Sequence, residues 1–181
     1  MKILTICGSL RHRSFNRAIC NTLPALGPDG CTLENAPSFA AFPVYNADFQ
    51  ESNGVPAEVT ALAEAIRRAD GVVIVSPEYN YSVPGGLKNA LDWISRVPDQ
   101  PFIGKPVALQ SAAIGMLGGA RMQYHLRQIL VFLDARVFNK PEVFVNFAKT
   151  KVDTEGELLV DESAREAIRS QLAAFADQIR R

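Results

Sequence analysis

No charge of one sign prevails in this sequence: its 19 Lys and Arg residues balance 19 Asp and Glu. A chain without net charge carries no global field toward nucleic acid or an anionic membrane surface, so any basic site must be local. Cysteine is scarce. Cys7, Cys20 and Cys31 are odd in number and show no CxxC spacing, which argues against a disulfide framework or a zinc site and suits a reducing cytoplasm. His12 and His125, the two histidines, lack metal-ligand spacing to any partner, so no metal site is expected. Long apolar runs are missing too. The short one that ends at Cys7, before Gly8-Ser9, is expected to be a buried strand rather than a signal peptide or membrane span. Nothing resembling a repeat, a low-complexity tract or a Pro/Gly-rich linker divides the chain. Residues 1–181 are therefore expected to form one domain, long enough to bury a core without disulfides or metals.

What the sequence does have is an alternation of two patterns. Short runs rich in apolar and β-branched residues lie at 3–7, 32–35, 71–75, 107–112 and 136–138. Most are apolar throughout rather than every second residue, as strands covered on both faces require. Helical patterns fall between and after them, at 14–23, 56–69, 85–95, 121–133 and 161–180. Val59, Leu62, Ala63 and Ile66 form one stripe, and Leu87, Ala90, Leu91 and Ile94 another. Such alternation predicts an α/β fold with a parallel sheet, helices on both faces and right-handed crossovers. Ligands of such sheets sit beyond the carboxyl ends of the strands. Three loops are therefore of interest, starting at residues 8, 76 and 111.

The first loop runs Gly8-Ser9-Leu10-Arg11-His12-Arg13-Ser14-Phe15-Asn16. Ser9, Ser14 and Asn16 offer neutral hydrogen-bonding groups, and Arg11 and Arg13 offer fixed positive charge. The helix behind them adds unpaired N–H groups and a positive dipole end. This is the composition of an anion site; a capped helix with two solvated arginines is the alternative. Neither GxGxxG nor a GK[ST] phosphate loop is present, so the usual dinucleotide fingerprint and an NTPase are unsupported. The second loop, Ser76-Pro77-Glu78-Tyr79-Asn80-Tyr81-Ser82, is stiffened by proline and places two tyrosines and an Asn where a planar ligand would lie. The third, residues 111–121, is rich in glycine, which permits close backbone approach.

On these motifs the chain resembles the NADPH-dependent FMN reductase family, and within it the chromate and quinone reductase branch. The matching residues are Gly8-Ser9-Leu10-Arg11 with Ser14 and Asn16, then Pro77-Glu78-Tyr79-Asn80, then Pro84-Gly85 with Leu87-Lys88-Asn89-Ala90 and Asp92-Trp93. Pro43-Val44-Tyr45-Asn46 with Asp48, and Gln123-Tyr124-His125-Leu126-Arg127, add to the likeness. The resemblance implies a flavodoxin-like three-layer sandwich on a five-stranded parallel sheet of order 2-1-3-4-5. It implies FMN, with its phosphate near Ser9, Arg11, Ser14, Phe15 and Asn16. Its isoalloxazine ring would lie against Pro77, Glu78, Tyr79, Asn80 and Tyr81, with Ser111 and Gly115 on the other side. NADPH or NADH would be the co-substrate, and a small-molecule acceptor (a quinone, free flavin, azo compound or chromate-like oxidant) would be reduced by ping-pong hydride transfer. No side chain is then expected to be catalytic, because flavin N5 carries the chemistry. Members of the family commonly form homodimers or homotetramers. Asn89, Asp92 and Trp93 either face a second subunit or, for Trp93, complete the core. Gly86 and Gly119 stand where relatives often carry larger residues.

Two other functions fit parts of the same sequence. A flavodoxin-type electron carrier would bind FMN without oxidising NAD(P)H, but such carriers are strongly acidic and this chain is neutral. Cys7 and Arg13 also match the C-x5-R-S loop of low-molecular-weight phosphatases, in which a thiolate attacks phosphorus. The Asp-Pro motif that supplies the acid in that family is absent.

Overall fold

The computed structural model describes residues 1–181. Its central sheet is parallel, in the order β2-β1-β3-β4-β5, formed by β1 (Lys2–Cys7), β2 (Thr32–Asn35), β3 (Gly71–Val75), β4 (Pro106–Ala112) and β5 (Arg136–Val137). This is the flavodoxin-like order expected. The fifth position, however, is shared. β5 pairs only with Pro106 and Val107, and a further strand, β6 (Val143–Val145), pairs with Gln110–Ala112. Between the two lies Pro141, which has no N–H to give a ladder.

Six α-helices cover the sheet: α1 (Phe15–Thr22), α2 (Ala47–Asn53), α3 (Ala57–Arg68), α4 (Gly85–Ile94), α5 (Ala120–Phe132) and α6 (Glu162–Arg180). α2 and a two-stranded hairpin of β7 (Val152–Asp153) and β8 (Leu158–Leu159) were not expected from the sequence.

Side chains of the strands alternate between two cores, one on each face. Leu4, Ile6, Val72 and Ile74 point to the layer of α3, α4 and α5, where they meet Leu62, Ile66, Leu91, Trp93, Met122 and Leu126. Ile3, Val73 and Val75 point to the layer of α1 and α6, against Ile19, Leu23, Ile168, Leu172 and Phe175. Every residue of β3 is buried, as its unbroken run of apolar residues requires. Burying each large apolar side chain contributes ~1.5–3 kcal/mol, and the double core fixes the register of the sheet. None of the helices is long and apolar enough to cross a membrane.

Candidate functional site

The three loops meet beyond the carboxyl ends of β1, β3 and β4. Gly8 makes the first approach possible. Its N–H donates to the Val75 carbonyl at 2.8 Å, and a Cβ on Gly8 would fall 2.5 Å from Ser76 Oγ. Only glycine lets the two loops lie this close. Ser14 then caps α1, accepting the Asn16 N–H on its Oγ at 3.2 Å. Ser9 Oγ accepts the Arg11 N–H at 3.3 Å, which folds the loop toward the helix start.

Asn16 is buried and clamps the end of β4. Its Nδ2 donates to the Ala112 carbonyl at 3.1 Å, and its Oδ1 accepts the Ala112 N–H at 2.9 Å. Both ends of the side chain are thus engaged by backbone, and Asn16 serves the site by fixing α1 against the third loop. The two arginines separate. Arg11 stays at the cavity, its guanidinium 5.4 Å from the Phe15 ring centre and donating to the Arg13 carbonyl at 3.0 Å. Arg13 turns away to pair with Glu155 at 2.9 Å.

Residues 79–82 form a tight turn in which Tyr79 and Ser82 exchange backbone hydrogen bonds of 3.0 and 2.9 Å. Asn80 and Tyr81 both have positive φ, +49° and +69°, as a two-residue type I′ turn needs. Asn tolerates that conformation better than Tyr. The turn is held from outside by α5. The Arg121 guanidinium stacks 3.8 Å from the Tyr81 ring centre, and His125 Nδ1 lies 2.9 Å from Ser82 Oγ. Glu78 reaches the start of α5, accepting from the Met122 N–H at 3.2 Å and from Arg121 Nη1 at 3.3 Å.

The third loop is braced by a buried polar chain. Gln123 Nε2 donates to Ser111 Oγ and to the Val143 carbonyl, both at 2.8 Å, and Ser111 Oγ donates to the Gly118 carbonyl at 2.6 Å. Gly118 and Gly119 have φ of +59° and +91°, so glycine is required at this corner.

Together the loops enclose a cavity lined by Ser9, Arg11, Ser14, Phe15, Asn16, Pro77, Glu78 and Tyr79, with Ala112, Ala113 and Ile114 opposite. Asn80, Tyr81, Ser111 and Gly115 do not line it: Asn80 and Tyr81 form the turn outside, and Ser111 acts behind the wall. Ala112, Ala113 and Ile114 carry no functional group, and their only signal in the sequence is their place at the end of an apolar run. One end of the cavity offers two hydroxyls, a guanidinium and the N-terminus of α1. The other offers backbone and apolar surface. That donor set fits a phosphate at one end of a planar ring system, as in FMN.

Two expectations resolve elsewhere. Trp93 is completely buried, donates Nε1–H to the Pro43 carbonyl at 2.8 Å and packs edge-on against Tyr45. Asn89 Nδ2 shares the same carbonyl at 2.9 Å. Both hold the 43–45 segment, so Trp93 completes the core rather than facing another subunit. Cys7 does not line the cavity and Arg13 is engaged by Glu155, so the phosphatase pairing of these two is not formed.

The model of the NADPH-dependent FMN reductase family matches residues 1–150. A quinone reductase of Escherichia coli is 54% identical over 181 residues, covering 100% of this chain and 96% of that protein. An NAD(P)H-dependent FMN reductase of Pseudomonas aeruginosa is 48% identical over the same length and shares. Among solved structures, a flavoenzyme NAD(P)H:(acceptor) oxidoreductase from Paracoccus denitrificans superposes with a TM-score of 0.86 at 28% identity, over 99% of this chain and 97% of that one.

Proposed function

The chain belongs to the NADPH-dependent FMN reductase family, and from that premise we propose that it is an FMN-dependent NAD(P)H oxidoreductase whose principal acceptors are quinones, reduced in a ping-pong sequence. The observation that carries this is the two-ended cavity, with the α1 N-terminus, Arg11, Ser9 and Ser14 at one end and Pro77–Tyr79 facing 112–114 at the other. Held by Ser9, Arg11 and Ser14 at one end and by Pro77–Tyr79 at the other, FMN would supply two-electron redox chemistry between NAD(P)H and the acceptor.

The protein's part is placement and electrostatics. Ser9, Ser14 and the N-terminus of α1 border one end of the cavity, and Arg11 adds the compensating charge. Pro77 restricts the backbone beneath the ring position. Tyr79 is half exposed at the rim, leaving an open side for nicotinamide and acceptor in turn. Free flavin, azo compounds and chromate-like oxidants fit the same open side. The three free cysteines support a reducing cytoplasmic location. Val131 and Phe132, highly exposed at the end of α5, support assembly as a homodimer or homotetramer.

Absorption spectroscopy of the purified protein with FMN, followed by anaerobic NADPH and NADH, tests the proposal. Bound flavin that bleaches within the mixing time of a spectrometer is expected. Bound flavin that neither nucleotide bleaches would instead make the protein an electron carrier.

A further inference from the structure

Arg11, Arg13 and Arg17 lie close together in the chain, and two of them are engaged. Arg11 donates to the Arg13 carbonyl at 3.0 Å, and Arg13 pairs with Glu155 at 2.9 Å. Arg17, on α1, is half-buried and has no hydrogen-bond or ion-pair partner. It borders a groove of about 490 Å³ beside the first loop, walled also by Arg11, His12, Asn21, Ser38 and Glu157. An adjoining narrow cleft shares Leu10, Arg17 and Ser38 with the groove and reaches Thr5. Thr5 Oγ1 is buried there without a hydrogen-bond partner. Neither space is the cofactor cavity, with which the groove has only Arg11 in common.

We propose that this groove holds the 2′-phosphate of NADPH, with Arg17 as the residue that pairs with it, and that the site thereby selects NADPH over NADH. The proposal rests on the NAD(P)H oxidation proposed above. A half-buried guanidinium with no counter-charge loses hydration that nothing in the fold returns, and an anionic ligand supplies what is missing. The one acid on the wall, Glu157, already accepts the Arg13 N–H on Oε1 at 3.2 Å. Because Arg11 belongs to both spaces, the groove continues from the phosphate end of the cofactor cavity. A dinucleotide with its nicotinamide at the open side by Tyr79 can run past Arg11 and bring its adenosine to the groove. The volume of about 490 Å³ is within the range of pockets that hold small ligands.

The two nucleotides differ at one position of the adenosine ribose. NADPH carries there a phosphomonoester, with a charge of about −1.5 to −2 at neutral pH, where NADH has a hydroxyl. A planar guanidinium meets two phosphate oxygens at once, which an ammonium does not. Arg11 and His12 add nitrogen donors on the same wall, and Thr5 adds an unused hydroxyl in the cleft that Arg17 also borders.

Calorimetric titration of the FMN-loaded protein with 2′,5′-ADP, 5′-AMP and inorganic phosphate tests this. The wild type should bind 2′,5′-ADP roughly tenfold or more tighter than 5′-AMP, as a charge-assisted contact to one added phosphate requires. Arg17→Ala should abolish that preference, and Arg17→Lys should keep part of it. The ratio of kcat/KM for NADPH to that for NADH should fall by a similar factor in Arg17→Ala. Equal affinity of the wild type for 2′,5′-ADP and 5′-AMP, or an undiminished preference in Arg17→Ala, would overturn the proposal. Inorganic phosphate that binds through Arg17 as tightly as 2′,5′-ADP would also overturn it, since the groove would then serve a free anion. None of these ligands carries a nicotinamide, so the binding comparison is read without electron transfer. Failure of both dinucleotides to bleach the flavin would refute the reductase reading, a result distinct from any of the binding outcomes.

Discussion

Glu78 Oε2 accepts a hydrogen bond from the backbone N–H of Met122 across 3.2 Å. Met122 lies in the first turn of α5, and Gly119, at the cap position, has no side chain to offer. The carboxylate of one site loop therefore caps the helix that follows another, and the two walls of the cavity are joined through it.

Glu78→Ala is expected to lower stability by ~1 kcal/mol, the usual worth of a helix cap. Glu78→Gln keeps an acceptor and should recover most of that loss. Urea denaturation of the three proteins checks this, and an unchanged midpoint in the alanine variant would mean the cap carries no weight.

The order of the sheet was legible because its central strands are covered on both faces and so read as unbroken apolar runs, Gly71–Val75 above all. The fifth position was legible only in part. β5 is two residues long, and β6 follows a proline and a glutamate that hide it. α2 has no buried residue, so it leaves no apolar stripe from which to infer it. At the site, residue types pointed to an anion-binding loop, but the partners of those residues lie far away in the chain. Asn16 finds Ala112, and Arg13 finds Glu155, each through contacts that only the folded sheet brings together. Arg11 and Arg13 are alike in sequence and differ in role for that reason.

Asp161 caps α6, its Oδ1 accepting from the Ala164 N–H at 2.9 Å and from Ser163 Oγ at 2.6 Å. The Ser163 hydroxyl first, then the Ala164 N–H, hold the carboxyl below its ordinary range. A depressed pKa gives stability that is present above the unfolded value and is lost as pH falls through the folded one. Asp161→Ala should therefore be less stable by ~1 kcal/mol near neutrality, and the gap should close in acid, below about pH 4. Asp161→Asn caps the helix at any pH and should overtake the wild type in acid. Denaturant midpoints across this range decide the matter; a gap independent of pH would point to packing instead.

Gly119 and Gly86 differ in what they permit. A Cβ at Gly119 would lie 2.8 Å from Ser111 Cβ, on a backbone with φ of +91°. At Gly86 it would meet Leu10 and Phe39 at 3.4 and 3.5 Å, ordinary contact distances. Gly119→Ala is expected to destabilise the fold by ~1–3 kcal/mol through strain and displacement of Ser111. Gly86→Ala should be neutral or slightly stabilising, since it replaces a helical glycine. Thermal melting compares the two directly, and equal melting temperatures would contradict the distinction.

Arg11 and Arg13 provide the sharpest test of where the cofactor phosphate lies. Both are exposed, and both carry a guanidinium two residues apart in one loop, so a general loss of positive charge would affect binding about equally. The geometry separates them, since Arg11 lines the cavity and Arg13 pairs with Glu155 at the surface. Arg11→Ala should weaken FMN binding by ~1.5–3 kcal/mol, the range for a hydrogen bond to a charged group, or roughly ten- to a hundredfold in Kd. Arg13→Ala should leave the affinity within about twofold, because an exposed ion pair contributes only ~0–1 kcal/mol to stability and nothing to the ligand directly. Arg11→Lys keeps the charge but loses the planar fork, and should fall between wild type and Arg11→Ala. Titration of flavin fluorescence at two ionic strengths reads all four proteins, and the wild type should lose more affinity in salt than Arg11→Ala does. If the two alanine variants bind FMN alike, Arg11 does not hold the phosphate, and the site must draw its donors from the α1 N-terminus, Ser9 and Ser14 alone.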